Sequence, residues 1–84
     1  MPYVKQSDRT KYEKMIVSCP NISSKGELEY IIYCLMKIYM IDKEYRYSTL
    51  HDCVYACIHA GEEFKRRYLD KREDEAIKEN GDII

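Results

Sequence analysis

An all-α fold is the class these 84 residues predict, and three observations carry it. The chain holds only two prolines and three glycines, so little interrupts helical periodicity. No useful stretch alternates apolar and polar residues as a half-buried strand does. Leu50, Val54, Cys57, Gly61, Phe64 and Tyr68 instead alternate spacings of four and three, the pattern of packed antiparallel helices. The expected architecture is a three-helix antiparallel bundle with a long C-terminal helix. It forms one domain over residues 1–84 and is completed by oligomerisation.

The first helix is expected from about Ser7 to Val17, with Ser7 or Asp8 as its cap. It places Tyr12, Met15, Ile16 and Cys19 on one side, and Pro20-Asn21 ends it. The second helix starts at a capping box, in which Ser24 accepts from the amide of Glu27 and Glu27 answers back. It runs to about Ile41. Leu28, Ile31, Ile32, Leu35, Met36, Ile38 and Tyr39 cover more than one stripe of it, and Tyr30, Tyr33, Cys34 and Met40 fill most of the rest. A helix apolar all round must be covered on several sides, and three short helices cannot supply that cover alone. A second copy of the chain is the expected source.

Asp42 to Tyr47 makes the next turn, and Ser48 or Thr49 caps a third helix that reaches about Glu79. Gly61, inside the seam, costs about 1 kcal/mol relative to alanine, so its expected use is to let another backbone come close. Asp70 to Glu75 is a solvated continuation with ion pairs such as Asp74 with Lys78, and Asn80-Gly81 stops the helix.

Composition narrows the function classes. Fourteen basic residues nearly cancel fifteen acidic ones, and a net charge of -1 gives no general attraction to nucleic acid or to an anionic membrane. The start, Met1-Pro2-Tyr3-Val4-Lys5, holds no apolar stretch for a signal peptide, and no run is long enough for a membrane span, so a cytoplasmic protein is expected. There Cys19, Cys34, Cys53 and Cys57 are expected as buried thiols and not as bridges. Cys53 and Cys57 share a helical face, but neither His51 nor His59 joins it at helical spacing, so no metal site is expected.

The same geometry leaves no nucleophile beside a base, and there is no Gly-rich phosphate loop. No catalytic residue and no cofactor are expected. What remains is Glu62-Glu63-Phe64-Lys65-Arg66-Arg67-Tyr68, nine tyrosines, and a helix start at Lys25-Gly26 with free backbone amides. Guanidinium groups and helix N-termini hold phosphates, and cations and bases pack on tyrosine rings. The competing explanation is ordinary: Arg66 pairs with Glu62, Arg67 with Glu63, and tyrosines fill a small core or a dimer interface. A short cluster interleaved with acids suits a small phosphate-bearing ligand better than extended nucleic acid.

At Gly26-Glu27-Leu28-Glu29-Tyr30-Ile31, Tyr47-Ser48-Thr49-Leu50-His51-Asp52, Glu63-Phe64-Lys65-Arg66-Arg67 and Glu79-Asn80-Gly81-Asp82-Ile83, the chain resembles a family of short bacteriophage and prophage proteins. The resemblance covers roughly Gly26 to Ile83, with Lys65 where the relatives carry an aromatic residue. It implies a phage origin, an α-helical fold and the cytoplasm of a host bacterium, and it brings no activity with it. Small phage proteins without enzymatic motifs often counter host defence, some as oligomeric sponges for nucleotide immune signals such as cyclic dinucleotides or cyclic ADP-ribose derivatives. By that analogy the expected function is such a sponge, acting as a dimer or larger. The alternatives are a helical module that inhibits a host protein and a structural phage protein. In the sponge, Arg66 and Arg67 with Glu63 form the phosphate cluster, Tyr30 or Tyr47 the stacking wall, and Gly26 marks amides facing a phosphate. Asn80 and Asp82 of a neighbouring chain reach base edges or ribose hydroxyls.

Overall fold

The computed structural model describes residues 2–84. It is all-helical among them, with α1 over Gln6–Val17, α2 over Lys25–Met40 and α3 over Tyr47–Phe64. A π-helical turn, Lys65–Leu69, follows α3 directly and leads into α4, Asp70–Asn80, so the last helical run is the long one. By their internal contacts the residues form two units, one of Tyr3–Val54 and the other of Tyr55–Ile84 with Pro2.

Local chemistry explains where most helices begin and end. The amide of Glu27 donates to Ser24 Oγ at 3.1 Å, as a capping box requires. The returning carboxylate goes one residue further than expected, because Glu27 Oε2 accepts from the amide of Ser23 at 3.0 Å and from its hydroxyl at 2.6 Å. Those bonds hold the Glu27 carboxyl below its ordinary value, the Ser23 hydroxyl contributing most. The linkage follows: this clasp is fully present above the ordinary carboxylate range and is lost as pH falls through the lowered value. Replacing Ser24 by alanine is expected to cost about 1 kcal/mol and to fray the first turn of α2, read as lost thermal stability and helical dichroism.

Two boundaries differ from expectation. The first helix begins after Lys5, which makes no side-chain cap, so neither Ser7 nor Asp8 caps it; both lie inside the helix. Its end is tied by Ser18, whose hydroxyl donates to the carbonyl of Lys14 at 2.6 Å, ahead of Pro20. The third helix begins at Tyr47, and Thr49 closes the turn before it by donating to the carbonyl of Glu44 at 2.6 Å. At the far end Gly81 takes φ +83° and ψ 155°, a region that side-chain-bearing residues avoid, while its amide donates to Ile77 at 2.8 Å.

The core is small. Among the described residues only Cys53 is buried, at 6% exposure, and its thiol donates to the carbonyl of Met36 at 3.6 Å, joining α3 to α2. Cys34 and Cys57 are half-buried and Cys19 is exposed, which corrects the expectation of four buried thiols. A thiol is small enough to fit at the end of an apolar face, and only the residue opposite a neighbouring helix is covered. The apolar side of α1 is likewise exposed at Tyr12, Met15 and Ile16. So is much of the third-helix seam, at Val54, Phe64 and Tyr68, where sequence spacing leads one to expect packing.

Candidate functional site

The basic residues of the sequence cluster sit on the π turn. There the backbone bonds reach one residue further than in an α-helix, a rare geometry that recurs at functional sites. Glu63, one turn earlier and with its side chain only 13% exposed, serves both arginines. Arg66 grips it with two prongs, Nη2 to Oε1 at 2.5 Å and Nε to Oε2 at 3.3 Å, and Arg67 Nε donates to Oε1 at 2.6 Å. The expected partner of Arg66 was Glu62, so the structure shifts that pairing.

Lys65 is engaged elsewhere. Its ammonium donates to Asp70 Oδ1 at 2.8 Å, and that bond raises its pKa. The rings of Phe64 and Tyr68 lie 4.6 Å apart and tilted by 35°, forming an aromatic wall beside the arginines in sequence. The turn therefore carries two guanidinium groups held by one carboxylate, a type of group that suits a phosphate, and an exposed aromatic pair.

The other candidate residues are distributed differently. Gly26 and Tyr30 share an apolar groove of about 380 Å³ with Cys19, Pro20, Ile22 and Ile31. The phenol of Tyr30 is hydrogen-bonded to Cys34, which raises its pKa. The helix start near Gly26 is occupied by the carboxylate of Glu27, so a phosphate arriving there meets an anion already held by the serines. Tyr47 is exposed, with its ring 5.7 Å from that of His51. Asp82 turns back on its own backbone, accepting from the amide of Ile83 at 2.6 Å. Asn80 closes α4, about 20 Å along the helical run from Arg66, so within one chain the tail and the arginines do not meet.

Two features escape a sequence reading. One is the π turn, whose only trace is the adjacent apolar pair Tyr68-Leu69 where the seam calls for a single residue. The other is a second groove, also about 380 Å³, which Met36 and Met40 of α2 form with Leu50, Cys53 and Val54 of α3 and with Tyr33. It follows from how two helices meet, and no local motif announces it. Among the described residues no three metal-ligating side chains come together, and no helix is long and apolar enough to cross a membrane.

The family model of a domain of unknown function, DUF6899, matches residues 1–83. The chain belongs to that family. No curated protein and no solved structure matches it.

Proposed function

We propose that this member of the DUF6899 family is a non-catalytic binding protein of phage origin, which works as a homo-oligomer in a bacterial cytoplasm and sequesters a small nucleotide immune signal. The observation that carries this reading is the π turn. It interrupts an otherwise regular helix at the very residues, Arg66 and Arg67, that sequence chemistry marks for phosphate. An interruption of this kind gives up regular helical bonding, and a binding role accounts for its place. Glu63 sets the two guanidiniums at fixed positions, and Phe64 and Tyr68 offer a face on which a base can stack. The apolar residues left exposed on α1, α2 and α3 support the oligomer.

A second reading rests on that same exposed surface: a helical module that blocks a host protein. The two are separated by heating the purified protein with cyclic dinucleotides, cyclic ADP-ribose isomers and ordinary nucleotides. A sponge is stabilised by one class of nucleotide alone, whereas a blocker responds only to its protein partner. Saturation at a hundred times the dissociation constant is expected to add about 2.7 kcal/mol of stability. No shift with any nucleotide would remove the sponge reading.

A further inference from the structure

On α2, Leu28, Ile32, Leu35 and Tyr39 follow one another at spacings of four, three and four. At about 100° per residue they fall within an arc of roughly 60°, forming a single straight stripe. The stripe faces neither groove. Ile31 lines one groove from one side of it, and Met36 and Met40 line the other from the opposite side. Its members stay 47%, 36%, 45% and 38% exposed, so a seam with coiled-coil spacing lies open along almost the whole helix.

We propose that this stripe pairs antiparallel with the same stripe of a second copy, about a two-fold axis passing between Ile32 and Leu35. The inference rests on the self-association in the reading above and names the surface responsible. Two arguments choose a second copy in an antiparallel arrangement. First, the spacing is palindromic, so an antiparallel pair sets Leu28 against Tyr39 of the partner subunit and Ile32 against Leu35 of the partner subunit. That self-complementarity is the requirement of a two-fold interface. Second, the antiparallel arrangement sets the two helix dipoles head to tail, which a parallel pair does not.

The end of the seam is already ordered. The ammonium of Lys43 donates to the carbonyl of Tyr39 at 2.9 Å and lies 4.0 Å over its ring, which lowers the cost of fixing that side chain on association.

The test uses two single variants, Ile32→Lys and Leu35→Glu, with light scattering for mass and circular dichroism for helix. Wild type is expected as a dimer or a multiple of one. Each variant alone buries an unpaired charge against an apolar partner residue, and its association is expected to weaken by about a hundredfold or more. Mixed in equal amounts, the two variants are expected to associate again. In that heterodimer the introduced lysine faces the introduced glutamate, and the native Leu35 of one chain faces the native Ile32 of the other. Should either variant lose helix on its own, recovery of helix and mass on mixing decides the matter equally well. A monomeric wild type overturns both this inference and the oligomer in the functional reading. A dimeric wild type whose variants stay dimeric overturns the stripe alone and leaves self-association to another face. Monomeric variants that stay apart on mixing overturn the antiparallel pairing.

Discussion

Cys53→Asp is expected to unfold the protein or bring it to the edge of unfolding. Cys53 is the one buried side chain among the described residues, and its thiol donates to an acceptor, the carbonyl of Met36 at 3.6 Å. An aspartate there places a carboxylate against a carbonyl oxygen with no donor supplied, so the charge is buried without a partner. Removing the partner of a buried charge costs about 3 to 5 kcal/mol, and an uncompensated carboxylate at Cys53 belongs in that range. A domain of this length has about 4 to 13 kcal/mol of stability in all. Loss of at least about 12 °C in melting temperature follows, read by dichroism. Cys53→Ser keeps a donor of similar size and is expected to cost about 1 kcal/mol. If the aspartate variant melted within a few degrees of wild type, the junction of α2 and α3 would not be the core that the burial pattern describes.

The second large effect is on ligand. If Arg66 and Arg67 hold a phosphate, replacing either by alanine removes a charge-assisted contact worth about 1.5 to 3 kcal/mol, or roughly ten- to a hundredfold in affinity. The nucleotide-induced rise in melting temperature is expected to vanish in the double variant, while mass and helical content stay as in wild type. The side chains are more than half exposed, and their pairs with Glu63 span one helical turn, so their loss costs the fold little. Arg66→Lys tests the geometry as well as the charge. A lysine keeps the charge but loses the planar fork that grips Glu63, and an intermediate loss of affinity is expected. Wild-type binding in both alanine variants would assign the arginines to the helix and not to a site.

Much of this protein was decided locally and is therefore readable in its residues. The start of α2 depends on Ser24 and Glu27, three residues apart, and the end of α4 on a glycine that alone tolerates φ +83°. Each is a bond or torsion within one turn of chain, and neighbouring residues are enough to specify it. The grouping of Arg66 and Arg67 with an acidic residue is local for the same reason, since side chains three and four apart on a helix meet.

What the sequence could not distinguish depends on what lies across from a residue. Cys19, Cys34, Cys53 and Cys57 are alike as residue types, yet one is exposed, two are half-buried and one, whose thiol meets the Met36 carbonyl of α2, is buried. The apolar residues of α2 announce that the helix needs cover, but the grooves beside Ile31 and Met36 show which faces its own chain reaches and which it leaves open. The π turn was missed for another reason, because a reading at helical periodicity assumes one regular register throughout. By itself, then, the sequence determined the helices, the cap of α2, the stop of α4 and the chemistry of the basic cluster. Only the tertiary structure decided which thiol is core and which stripe of α2 remains open, because burial depends on residues far apart in the chain.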